Sequence, residues 1–121
     1  MMVVAMLAIL GAISMAMYGP YRQRARCTEA EVAAYDTMLA LQQTLAETGN
    51  TNNTVDNLAY TNTKTIGGQN LNYPTNVTVR IAGAGTTPSQ PFSVDATRIN
   101  PACPRGDGIY TLNQGDTQGQ W

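Results

Sequence analysis

Glu29 and Glu31 come closest in this chain to an acid–base pair. Hydrolysis by two carboxylates needs both groups in one cleft, one protonated and one ionised. Two residues apart on a helix, they point to different sides. The 121 residues contain no histidine, so the commonest general base and the commonest metal ligand are missing. Two cysteines, Cys27 and Cys103, cannot make a structural zinc site without it. Asp95, Asp107 and Asp116 are too dispersed for the dense acidic loop that calcium favours. Arg105-Gly106-Asp107 spells an integrin-type adhesion tripeptide, but Pro104 and the two glycines read as a turn. Asn52-Asn53-Thr54 and Asn76-Val77-Thr78 are sequons for N-linked sugar. Asn52 is the better acceptor of the two, since its surroundings read as an exposed loop. No catalytic residue, metal or cofactor is expected, and the chain is not expected to be an enzyme.

The charge balance excludes another class. Seven Lys and Arg against eight Asp and Glu give a net charge of -1, and the basic residues are too few for a nucleic-acid groove. The charged fraction is 12%, where a soluble domain has about a quarter. What is unusual is the distribution: apolar residues gather at the N-terminal end, while Asn, Thr, Gly and Gln dominate the last 70 or so positions.

The elements that carry these residues begin with an uncharged run. Residues 1–18 read MMVVAMLAILGAISMAMY. As a helix they span about 27 Å, enough to cross a hydrocarbon core. Val3, Val4, Leu7, Ile9, Leu10 and Ile13 supply the apolar bulk, and Gly11 and Ser14 are small enough for close helix packing. A cleaved secretory leader, cut at Ser14-Met15-Ala16, would need a positive n-region that this segment lacks. A permanent membrane anchor, or an anchor that later packs against copies of itself, fits better. Gly19-Pro20 follows, where a kink or melted stretch is expected. Arg22, Arg24 and Arg26 then ring the helix. They suit lipid headgroups, or carboxylates such as Glu29, Glu31 and Asp36 on neighbouring copies.

Helical periodicity resumes and runs to about Thr48, with Gly49-Asn50 as its stop. Cys27, Ala30, Ala34, Met38, Leu41 and Leu45 trace one face. Val32, Tyr35 and Leu39 form a flanking stripe. A helix over residues 1–48 would be about 70 Å long, too long to lie inside one small domain. Its first half must be buried by lipid or by other subunits. An even cysteine pair behind an export-type N-terminus suggests a disulfide. Cys27, on the main stripe, is expected to reach Cys103 and close a loop of about 76 residues, worth about 4 kcal/mol.

Residues 1–48 resemble the type IV pilins: Val3-Val4-Ala5 in an apolar helix, a glycine near its middle, Pro20-Tyr21, then an amphipathic helix and a Thr/Asn/Gly-rich region. The likeness over 49–121 is one of layout alone. Pilins usually begin with Phe-Thr-Leu and a glutamate, which are absent here, so several leading residues are expected to precede Met1. The resemblance implies that residues 1–26 form an anchor and filament core, with a head over 27–121. It also implies that the helix melts near Pro20 on assembly. The implied partners are identical subunits in a helical homopolymer, an inner-membrane assembly machinery, and membrane lipid beforehand. The implied location is the cell surface.

In the head, residues 49–62 read as a polar loop. Val77, Val79 and Ile81 alternate with Thr78 and Arg80; Phe92, Val94 and Ala96 alternate in a second strand; residues 108–112 make a third. Residues 60–66 read as an edge strand, and 83–88 as a turn. The fold class is therefore α+β, a long N-terminal helix packed on a small antiparallel sheet.

Overall fold

The computed structural model describes residues 1–49, 58–83, 91–99 and 101–121. One helix, α1 (Met2–Thr48), carries two antiparallel sheets. Six strands follow it: β1 (Ala59–Thr61), β2 (Thr63–Ile66), β3 (Gln69–Asn72), β4 (Val77–Gly83), β5 (Phe92–Arg98) and β6 (Ile109–Asn113). The larger sheet runs β1-β4-β5-β6, and β2 pairs with β3 alone.

Why these segments take these places follows from the alternation. Val79 lies opposite Tyr60 and Ala96, and Ile81 opposite Val94. Opposed residues share a sheet face, so Val77, Val79, Ile81, Val94, Ala96 and Leu112 all turn to the helix and are buried. Ala30, Ala33 and Ala34 answer them from α1. Their small side chains let the helix lie close, and Met38 and Leu41 fill the space beyond. The stripe expected from spacing is the one buried, with Leu45 packed against the core's margin. Gly49 ends α1 in the left-handed conformation, φ 68°, its N–H bonded to the Leu45 carbonyl.

Helix α1 is continuous in backbone pattern from Met2 to Thr48, with Pro20 inside it. Proline removes one ladder bond, and the good helix formers on either side, from Ala16-Met17 to Arg24-Ala25, carry the ladder past it. Two expectations need correction. The stretch 60–66 is not one strand. Asn62 takes a positive φ of 69°, so β1 pairs with β4 while β2 turns away to pair with β3. Part of the expected loop over 49–62 is strand, since β1 begins at Ala59. The hairpin between β2 and β3 turns on Gly67-Gly68, both at positive φ, which a two-residue turn of the mirror-image type demands. A Cβ on Gly67 would also run into the Thr44 hydroxyl, so this glycine seats the hairpin on the last turns of α1. Asn52 and most of the 83–88 turn lie outside the described residues.

Candidate assembly surface

Two regions of α1 stand in contrast. Its first 18 residues touch nothing in the head: the apolar window is wholly unburied, with mean hydropathy 2.0. Even Ile13, the least exposed of its large side chains, is 54% exposed. Among the described residues this is the one helix long and apolar enough to cross a membrane. Val3, Val4, Leu7, Ile9, Leu10 and Ile13 all stand free, as do Gly11 and Gly19, where an added Cβ would meet nothing.

The next turns of α1 are the opposite, a lock for the chain's C-terminal segment. Cys27 is joined to Cys103, with Cα atoms 5.0 Å apart and both residues buried. This bond fits an oxidising, non-cytoplasmic compartment. Half a turn on, Glu29 Oε2 accepts a hydrogen bond from Arg98 Nε at 2.6 Å, and Arg98 Nη1 donates to the Pro101 carbonyl. Glu31 Oε1 accepts from Trp121 Nε1 at 3.0 Å, with Arg105 Nη1 3.7 Å away. Tyr35, one turn above Glu31, donates to the Thr117 carbonyl and meets the Tyr110 hydroxyl at 3.0 Å. Trp121 packs on Tyr110 with ring centroids 5.1 Å apart. It also closes on Gly106, whose Cβ, if it had one, would lie 2.7 Å from Trp121 backbone.

Of the residues expected to pair between copies, Glu29 and Glu31 also engage Arg98 and Arg105 of their own chain. The sheet register brings those arginines to the helix, and a partner within the chain needs no association entropy. Arg22 and Arg24 remain exposed on the collar, with Arg26 half-buried beside Cys27. Sequence spacing missed Arg98, Tyr110 and Trp121, which lie far from the helix along the chain. The one available signal was an acid pair on the helix beside a disulfide that had to bring two C-terminal arginines near.

The three aspartates each have a partner of their own, and Asp95 also lies 3.9 Å from Arg80 Nε. Asp95 accepts from Thr111, Asp107 from the Ile109 N–H, and Asp116 from Asn113. Among the described residues no group of His, Cys, Asp or Glu could hold a metal ion.

Tyr110 gives the lock a pH limit. Burial, then its hydrogen bond to Tyr35, pushes its hydroxyl from 10.0 up to about 12. The folded chain thus keeps a proton that the unfolded chain releases. The resulting stability is fully present below pH 10 and is lost as pH rises towards 12. The melting temperature of the head is expected to fall across that window, and to fall less in Tyr110→Phe. An alkaline decline of equal depth in the variant would show that Tyr110 is not its source.

Comparison of the chain with protein-family models, with curated proteins and with solved structures finds no match.

Proposed function

We propose that this chain is the structural subunit, a major pilin, of an extracellular type IV pilus-like filament. One observation carries the reading: an apolar 18-residue run stands wholly outside a disulfide-locked head, on the same unbroken helix. A fully exposed surface of that kind is not tolerated in water. Lipid covers it first, with the head on the oxidising side. An assembly machinery of the inner membrane then withdraws the subunit, and helices of identical subunits replace lipid around the run. The loss of hydrocarbon contacts is offset by helix packing, which Gly11 and Ser14 make close. The lock at residues 27–35 supports this role, because it lets a pull on the head reach the helix through a covalent bond. The work is assembly; no step calls for a catalyst, a cofactor or nucleic acid.

Material sheared from cells and viewed by electron microscopy, with mass spectrometry of its subunits, tests the reading. Long thin filaments composed of this chain are expected. Short envelope-bound assemblies would instead point to a pseudopilin of type II secretion. A monomer confined to the membrane fraction would leave an anchored binding domain.

A further inference from the structure

Up to Ala25 α1 is exposed on every side, and one side stays in solvent past the head as well. In the apolar run it holds Val4, Leu7, Gly11 and Ser14. At the arginine collar it holds Tyr18, Tyr21, Ala25 and Thr28, and beside the head Val32, Tyr35 and Leu39. All eleven are exposed, Tyr35 at 38% with its hydroxyl bonded to Tyr110 and Thr117 of the head. Burial of the other side fixes this stripe from Thr28 to Leu39, and the same alternation of three and four carries it back to Val4, a period of 3.5 over five heptads. An ideal helix drifts from such a repeat by about 20° per heptad. A stripe that holds it for so long matches a second helix wound around the first. The head occupies the far side: Cys27, Ala30, Ala34, Thr37 and Leu41 are buried with the same period, centred roughly 160° away at 100° per residue.

We propose that this seam pairs α1 with α1 of a second copy of this chain, parallel and in register, in the membrane before any polymer forms. The proposal rests on the membrane anchor of the preceding reading, not on the filament. Three observations select this occupant. The first is the change of chemistry along the seam, uncharged up to Tyr18 and flanked by Arg22 and Arg24 just beyond it. An antiparallel copy would lay those arginines against the apolar run, in hydrocarbon, where charge is costly. A parallel copy matches the boundary along its length. The second is charge complementarity. In a parallel pair the residue before one seam position faces, on the other helix, the residue five places on. Arg24 therefore faces Glu29 of the second copy, whose Oε2 is held by Arg98 but whose side chain is 41% exposed. The following such pair, Glu31 with Asp36 of the second copy, is like-charged, and Arg105 at 3.7 Å from Glu31 offsets it. The third is shape. A groove of about 600 Å³ follows the seam beside the head, walled by Tyr21, Ala25, Thr28 and Val32 and edged by Arg24 and Glu29. Small residues there and at Gly11 and Ser14 admit a close helix. Tyr18 and Tyr21, 62% and 73% exposed, supply contact area. With the heads opposite the seam, two of them point away from each other.

Cysteine cross-linking of the full-length chain in native membranes tests the pairing. The native cysteines are buried and already joined, so each added thiol reports on its own position. Under mild oxidation, Leu7→Cys and Ser14→Cys are expected to give disulfide-linked dimers. Ala12→Cys and Ala16→Cys, on the opposite side of the same turns, are expected to give at least tenfold less. Equal linkage at all four positions, or none at Leu7 and Ser14, overturns the proposal. Filaments sheared from the same cells separate the two readings. Filaments without seam linkage remove the pairing alone, and seam linkage without filaments removes the polymer alone.

Discussion

Replacing Cys27 and Cys103 together by serine is expected to destabilise the head by about 4 kcal/mol in the chain-entropy account of a loop this long. The cysteines are 76 residues apart, so the bond closes nearly the whole head into one loop and removes much of the freedom of its unfolded chain. In a domain of about this size such a loss lowers the melting temperature by roughly 15–30 °C. The location amplifies it. Arg98–Glu29, Trp121–Glu31 and Tyr110–Tyr35 all cluster within two helical turns of Cys27, and the bond holds their partners in place. Each is modest alone: an ion pair with an exposed carboxylate is worth about 0–1 kcal/mol, and a hydrogen bond about 1 kcal/mol. Thermal unfolding of the full-length chain in detergent, followed by near-ultraviolet signals of Trp121 and the tyrosines, measures the effect. A shift below about 5 °C would mean that the polar contacts alone hold the C-terminal segment to the helix.

Leu41→Ala is expected to cost about 3–4 kcal/mol, within the range for buried leucines that leave a cavity. Leu41 is 0% exposed and lies within the helix–sheet core with Met38, Ile81 and Val94. The sheet is braced by its hydrogen-bonded ladders and the helix by its own, so neither can collapse readily into the gap. Leu39 offers the contrast on the same helix. It is 67% exposed, and Leu39→Ala is expected to change the monomer's stability by no more than about 0.5 kcal/mol. Urea unfolding of the two variants checks both values. Near-equal losses would mean that Leu39 is covered in the folded monomer, or that the core beneath Leu41 repacks.

What could be read without coordinates was whatever repeats at short range. The helix and its stop at Gly49 follow from local period and backbone preference, as do the buried stripe through Cys27 and Leu41 and the alternating strands β4 and β5. So does the exclusion of histidine chemistry, which is a matter of composition. The hairpin on Gly67-Gly68 carried a legible two-residue turn signal. It was obscured because residues 60–66 read as continuous until Asn62 bends the chain out of the main sheet. Pro20 removes one ladder bond, and the ladder on either side carries α1 past it.

The lock was not legible. Glu29 and Glu31 have the same local surroundings whether they face a neighbouring copy or their own chain. Which arginine reaches them depends on a register that places Arg98 at the end of β5 and on a disulfide that brings Arg105 and Trp121 to the same two turns. Period and composition are set by neighbours along the chain, and so the sequence by itself determined the helix, its two faces and the lack of histidine. Pairing between groups 69 and 90 residues apart depends on how the sheet closes over the helix, and only the tertiary structure decided that.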